Sequence, residues 1–109
     1  MIENKFNYVL TNEKLIERII ADGNVHLNHM ILPKGDRLAE HYSNSNVYMI
    51  IVKGKMTIEL GDQKPNGYEV GEILRIPYNI KMNVYNEHEE VLEFFVVKAP
   101  NPENYNENA

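Results

Sequence analysis

The sequence contains no cysteine, which excludes disulfide bonds and thiolate metal sites. It also lacks a long hydrophobic stretch, because no apolar run approaches the roughly 18 residues that a membrane-spanning helix needs. The N-terminus, Met-Ile-Glu-Asn-Lys, carries no hydrophobic signal segment. These absences predict a protein that neither spans a membrane nor is secreted, and we expect it in the cytoplasm.

A cluster of basic residues is missing as well. The chain has 11 lysines and arginines against 16 acidic residues, which gives a net charge of −5. Nucleic acid is therefore not an expected partner, because phosphate neutralisation needs grouped cations. The 109 residues suffice for one domain with a single core, and the 43% of hydrophobic residues is ordinary for a globular protein.

Short apolar segments separated by turn residues predict an all-β protein. The segment 47–52 is apolar at every position, so both of its faces should be covered. The segment 55–60 alternates polar and apolar residues, as a half-buried strand does. The predicted strands are 25–32, 47–52, 55–60, 71–77, 81–85 and 91–97. Such a series is typical of an antiparallel sandwich or barrel.

The N-terminal region allows two interpretations. Residues 1–12 are expected to add one short strand to the body. In the next stretch, the spacing of Leu15, Ile16, Ile19 and Ile20 slightly favours a helix. The Asp22-Gly23 pair that follows is instead a strong hairpin signal, which would make residues 15–20 a strand.

Two blocks that each begin with glycine resemble the two conserved motifs of the cupin family. The first block has Gly35, His41 and Gly54 at the spacing of the first motif, and the second has Gly71, Pro77 and Asn86 at the spacing of the second. The resemblance covers about residues 25–100. It implies an all-β cupin fold, a double-stranded β-helix that forms an antiparallel jelly-roll barrel.

The resemblance also implies a division of the chain. Residues 25–100 would form the barrel, and residues 1–24 would form a strand or hairpin segment packing on or between barrels. Residues 101–109, rich in Asn, Glu and Pro, would form a flexible tail. For the ambiguous stretch before Asp22, the family favours the hairpin, and we adopt it.

The metal ligands of a cupin are mostly absent here. His41 matches the first ligand position, but Ser43, Val47 and Met82 fall where the family has histidine, glutamate and histidine. A divalent ion needs three or four nitrogen or oxygen donors. His26 and His29 are three apart in a strand and point to opposite faces, so they cannot replace the lost ligands together. We predict no metal and no other cofactor.

The predicted function is that of a metal-free cupin which binds a small molecule, sugar-like or another organic metabolite, in the barrel pocket. One alternative is a metal-independent isomerase, epimerase or lyase with His41 as the acid–base group. Another is a structural or regulatory dimer with a vestigial pocket, so the question of enzymatic activity stays open. The predicted ligand-binding residues are His41, Ser43, Val47, Met49, Tyr78, Met82 and Val84.

Strand alternation further predicts a homodimer. If Val47, Met49 and Ile51 face the barrel, then Tyr48 and Ile50 face outward, and the segment 91–97 repeats this pattern. The outward residues would form an apolar patch of several hundred square ångströms, which is large for a monomer. Pairing across a two-fold axis would cover it.

Overall fold

The computed structural model describes residues 1–106 and consists almost entirely of β-strands. The strands are β1 Leu15–Ala21, β2 His26–Leu32, β3 His41–Tyr42, β4 Val47–Lys53, β5 Lys55–Leu60, β6 Asn66–Glu69, β7 Ile73–Ile76, β8 Lys81–Tyr85 and β9 Leu92–Lys98. A short 3-10 helix, Pro102–Asn104, follows β9. Within these residues no helix is long and apolar enough to cross a membrane.

The strands form two antiparallel sheets. The five-stranded sheet has the order β1-β2-β9-β4-β7, and the four-stranded sheet has the order β3-β8-β5-β6. Most strands that follow one another in the chain lie in different sheets or form a hairpin, as in a jelly roll. The predicted all-β, antiparallel architecture is therefore confirmed.

The Asp22 turn decides the ambiguous N-terminal stretch in favour of the hairpin. The Asp22 side chain accepts hydrogen bonds from the backbone N–H groups of Asn24 and Val25, at 2.8 and 3.0 Å. β1 and β2 pair antiparallel on either side of this turn. The hairpin prediction is confirmed, and the helix, slightly favoured by spacing alone, does not form.

Strands β4 and β9 occupy the centre of the five-stranded sheet and carry much of the core. Their barrel-facing side chains pack against those of β5 and β8 in the other sheet. The predicted alternation in β4 is confirmed, because Val47, Met49 and Ile51 are buried while Tyr48 and Ile50 are only partly so. The core contains Leu32, Leu38, Val47, Met49, Ile51, Met56, Ile58, Ile76, Met82, Val84, Leu92, Phe94 and Val96.

Two local predictions were wrong. Residues 1–12 do not form a strand, because the Val9 N–H is bonded to the Glu17 carboxylate, at 3.0 Å, rather than to a neighbouring strand. No strand was predicted between residues 60 and 71, yet β6, Asn66–Glu69, pairs with β5 along the edge of its sheet.

The C-terminal residues 101–106 contact the barrel, although flexibility was predicted from residue 101 onward. The Asn101 amide donates a hydrogen bond to the Asp22 carbonyl at 2.8 Å, and the Tyr105 ring stacks on Tyr78 with centroids 4.3 Å apart. Residues 107–109 of the predicted tail lie outside the described residues. The proposed division of the chain at residues 24 and 100 stays a prediction.

The glycine that separates β4 from β5 yields a stability test. Gly54 has φ +75°, and a Cβ added there would lie 2.5 Å from the Val91 carbonyl oxygen. Because both the backbone angle and the contact oppose a side chain, Gly54→Ala should lower the free energy of unfolding by about 2 kcal/mol or more. The control is Gly67→Ala, whose Cβ would lie 3.9 Å from its nearest neighbour. Urea unfolding checks both variants. Equal small losses of stability would show that neither the φ angle of Gly54 nor its contact with Val91 opposes a side chain.

Candidate functional site

His41 and Met82 lie side by side, as the alignment of the two motifs requires. They are directly opposite each other in the β3–β8 pair, so their side chains share the barrel-facing side of the sheet. Met82 is buried, whereas His41 is exposed because β3 is the edge strand. The His41 Nδ1–H donates to the Ala39 carbonyl at 2.8 Å, which leaves Nε2 as an acceptor open to solvent.

Ser43 is a structural residue in this arrangement. Its hydroxyl donates to the Pro77 carbonyl at 2.6 Å and accepts from the Ile80 N–H at 2.8 Å. The Ser43 backbone is bonded to the same turn, which includes Asn79 at φ 63°. The side chain at the second histidine position therefore joins the β3–β4 segment to the turn before β8.

Four of the predicted ligand-binding residues meet in the core rather than around a cavity. Val47, Met49, Met82 and Val84 belong to one cluster of buried side chains and are 2% exposed or less. A side chain beside a water-sized cavity would be exposed to it, so their own atoms fill this part of the barrel. Their role in ligand binding stays a prediction, which this packing does not favour.

Tyr78, the remaining predicted ligand-binding residue, is directed toward the chain terminus. Its ring is stacked on Tyr105, with planes 12° apart. The structure thus brings five of the seven predicted residues together, His41 at the barrel edge and the four core side chains behind Met82. Ser43 and Tyr78 are engaged by other parts of the chain.

The residues at the cupin metal positions do not fit a metal. Val47 and Met82 offer no nitrogen or oxygen donor, and the Ser43 hydroxyl is already used in two hydrogen bonds. His41 alone cannot hold a divalent ion against water. No set of three or more acidic or histidine side chains within residues 1–106 is arranged to hold one.

A cleft of about 390 Å³ opens elsewhere, on the outer side of the four-stranded sheet. Its polar groups are largely paired with one another, since Thr57 donates to Glu87 at 3.2 Å and Lys55 lies 3.6 Å from Glu69. None of the predicted ligand-binding residues lines it. The lining residues are Lys55, Thr57, Pro65, Asn66, Gly67, Tyr68, Glu69, Glu72, Glu87 and His88.

A second group of polar residues lies on the outer face of the five-stranded sheet. His29 is fully buried, and its two ring nitrogens lie 2.7 Å from the Glu17 carboxylate and 2.6 Å from the Glu93 carboxylate. Carboxylates only accept, so both bonds form together when each nitrogen carries a proton. The predicted opposite orientation of His26 and His29 is confirmed, because Phe95 pairs with His29 and Lys98 with His26.

Aromatic rings enclose this imidazole. His29 stacks on Phe95, with centroids 4.8 Å apart, and the Tyr8 ring lies 4.9 Å from it on another side. The hydrogen bond from His29, followed by that from the Val9 N–H, lowers the pKa of Glu17. The N-terminal segment is thereby fastened to the outer face of the sheet by a ring contact and a charged hydrogen bond.

Sequence reasoning missed the partners of His29. Glu17 and Glu93 are 12 and 64 residues away in the chain, so no local spacing reveals them. The available signal was the strand alternation, which places Glu93 on the same outward face as Phe95.

Comparison with known proteins agrees with the geometry. No family model matches the sequence. The chain is 43% identical over 107 residues to an uncharacterized protein of Methanocaldococcus jannaschii, which covers 97% of this chain and 92% of the relative. The crystal structure of that protein, described as an RmlC-like cupin family protein with a double-stranded β-helix fold, gives a TM-score of 0.91. That match covers 94% of this chain and 95% of the other.

More distant structures share the fold alone. A cupin superfamily protein from Desulfitobacterium hafniense gives a TM-score of 0.71 at 12% identity, over 85% of this chain and 83% of that one. A Cupin 2 conserved barrel domain protein from Salinispora arenicola gives 0.69 at 17% identity, over 84% and 79%. The fold and the motif positions define a cupin barrel that lacks most of the metal ligands. The chain belongs to the RmlC-like cupin family, as the two glycine-started blocks predicted.

The hydrogen bond between His29 and the Glu17 carboxylate predicts that the stability of the protein depends on pH. A carboxyl whose pKa is lowered on folding contributes stability above its unfolded pKa of about 4.3, and this is lost as the pH falls through the folded value. Glu17→Gln should therefore reduce the free energy of unfolding by about 1–3 kcal/mol near pH 6 and by much less near pH 3.

Denaturant unfolding at the two pH values measures this difference. Glu13→Gln, a change of an exposed glutamate just before β1, serves as the control and should have little effect at either pH. A Glu17→Gln effect of the same size at both pH values would show that the carboxylate charge does not hold this site together.

Proposed function

We propose that this protein is a homodimeric cupin that works as a structural or regulatory protein, with a barrel packed by its own side chains. The observation that carries the proposal is the apolar outer face of the five-stranded sheet. A filled barrel has little room for a ligand. The function is therefore expected to depend on an interaction surface of the protein.

Strand register makes the apolar outer face continuous across the sheet. Ile50 pairs with Ile73 on one side and with Phe95 on the other, and Tyr48 pairs with Val97. Directly opposite residues share a face, so these side chains form one surface. Its largest exposed members include Ile73 at 66% and Val52 at 42%.

The N-terminal segment covers only part of this surface. Tyr8 packs on Phe95 with centroids 5.2 Å apart, yet remains 47% exposed, and Leu10 is 84% exposed. The segment therefore adds apolar area instead of closing the face. Contiguous apolar patches of this kind mark interaction surfaces.

A second copy of the chain is the partner that fits this face best. Two-fold symmetry pairs the same patch on both subunits, so an apolar face needs no separate complementary partner. Two of the carboxylates on the face, those of Glu17 and Glu93, are already bonded to His29. The remaining charge on the face is that of Arg75 in the edge strand β7, which lies opposite Tyr48 and forms no ion pair within residues 1–106. In a dimer its guanidinium would have to lie at the rim of the interface or pair with an acceptor of the second copy.

The two other predicted functions have weaker geometric support. Binding in the barrel needs space beside Val47, Met49, Met82 and Val84, which are packed together. Acid–base catalysis by His41 needs a positioned substrate and a partner group, whereas this imidazole is bonded to the Ala39 carbonyl.

The proposal predicts a specific effect of charge on the outer face. Wild-type protein should have twice the mass of one chain in light scattering at micromolar concentration. Ile73→Glu should shift the mass toward one chain, because the interface would have to bury a carboxylate. Since Ile73 is exposed in the single chain, the fold should persist.

Ile16→Glu is the matched control. Ile16 is 56% exposed in β1, and the strand register places it on the barrel-facing side of the same sheet. This variant should remain dimeric, and circular dichroism should show that both variants are folded. Wild-type protein that is monomeric at these concentrations would overturn the proposal, as would an Ile73→Glu dimer as stable as the control.

A further inference from the structure

Four polar side chains gather on the barrel-facing side of the five-stranded sheet, next to the Asp22 turn. Arg18 of β1 pairs with Asn28 of β2, and His26 of β2 pairs with Lys98 of β9. His26 and Asn28 are two residues apart in one strand, so all four lie on the same face. We call these four residues the basic cluster.

Two members of the basic cluster are buried with unused hydrogen-bonding atoms. His26 is 8% exposed and Asn28 is 7% exposed. The His26 Nδ1 and the Asn28 Oδ1 have no hydrogen-bond partner among residues 1–106. Buried polar atoms are nearly always bonded, so each exception needs an explanation, and a bound water or ion is one of them.

The charged members of the cluster are also uncompensated. Neither Arg18 nor Lys98 forms an ion pair with another residue in the described part of the chain. Burial, and then the nearby Arg18 charge, lower the pKa of Lys98. The Arg18 charge therefore lies close enough to disfavour the protonated form of Lys98.

Acidic groups near the cluster reduce this repulsion only in part. Burial is the main factor that lowers the pKa of His26; Arg18 and Lys98 lower it further, while Glu103 and Asp22 act in the opposite direction. The Asp22 carboxylate already accepts two backbone hydrogen bonds in the hairpin turn. The cluster therefore places two cationic side chains, Arg18 and Lys98, on the same face as the buried His26 imidazole.

From this arrangement we propose that the basic cluster binds a small, doubly charged oxyanion, either inorganic phosphate or the phosphate group of a metabolite. Arg18 is exposed and Lys98 is partly exposed, so the ion can reach both from solvent. The guanidinium and ammonium groups would bind its negative oxygens, and His26 would donate a third hydrogen bond. Asn28 would complete the site with its amide rotated so that the NH2 group, and not the acceptor Oδ1, donates to the anion.

This site is independent of the proposed dimer. The basic cluster faces the barrel side of the sheet, whereas the apolar surface that contains Ile50 and Ile73 lies on the other side. A variant that separates the subunits should therefore leave anion binding unchanged, and failure of one proposal does not decide the other.

Isothermal titration calorimetry of the full chain with inorganic phosphate tests the proposal. Wild-type protein should bind one phosphate per chain, and Lys98→Met should weaken binding by about tenfold or more, because a charged hydrogen bond is lost. The control is Lys64→Met, which removes the same charge from an exposed lysine in the β5–β6 loop. Its affinity should equal that of the wild type at the same ionic strength.

Further titrations sharpen the result. Glycerol 3-phosphate, titrated alongside, shows whether the site accepts an esterified phosphate or free phosphate alone. Sulfate, which keeps its charge between about pH 5 and pH 8, should bind more tightly at the lower pH, because His26 gains a proton beside the anion. If Lys98→Met does not fold, Arg18→Gln, a change of an exposed residue, should give the same loss.

Two results would overturn the proposal. One is the absence of saturable heat with phosphate and with glycerol 3-phosphate in wild-type protein. The other is a phosphate affinity of Lys98→Met that equals that of the control Lys64→Met, which would mean that net charge alone attracts the ion. If Arg18→Gln replaces Lys98→Met, the same comparison applies to it.

Discussion

The structure depends on two strands, β4 and β9, that are apolar on both faces. Their inner side chains, such as Met49 and Phe94, are covered by the second sheet. Their outer side chains, such as Ile50 and Phe95, have only the N-terminal segment and each other. A barrel of this size has no further layer, and the dimer proposed above would cover the outer face. The buried His29 lies on that same face, between the Glu17 and Glu93 carboxylates.

The residues at the cupin metal positions, Ser43, Val47 and Met82, have structural roles in this chain. Val47 and Met82 extend the apolar core across the centre of the barrel, and Ser43 joins two segments by hydrogen bonds. The fold is retained because the glycine and proline positions that shape its turns do not depend on the ligands. Polar side chains on the barrel-facing side are found instead at the β1–β2 end of the five-stranded sheet, where His26 pairs with Lys98.

The sequence predicted the fold well because short-range signals determine its turns. Gly54 has the positive φ that its motif position requires, and Asp22 forms the hairpin turn through its own side chain. The candidate site was harder to predict, because it depends on long-range contacts. Alignment could place Met82 beside His41, but it could not show whether the neighbouring side chains leave a cavity. The stacking of Tyr78 on Tyr105 could not be predicted from the sequence either, because only the folded chain brings these rings together.

The claim that the barrel is packed, and not a pocket, is tested most directly by the stability of Met82→Ala. Met82 is 2% exposed, so its truncation would leave a cavity in the core. The account predicts that the free energy of unfolding, measured in urea at fixed protein concentration, falls by about 2–5 kcal/mol. A loss below about 0.5 kcal/mol, the range of ordinary surface substitutions, would show that Met82 lines an open pocket and would contradict the account.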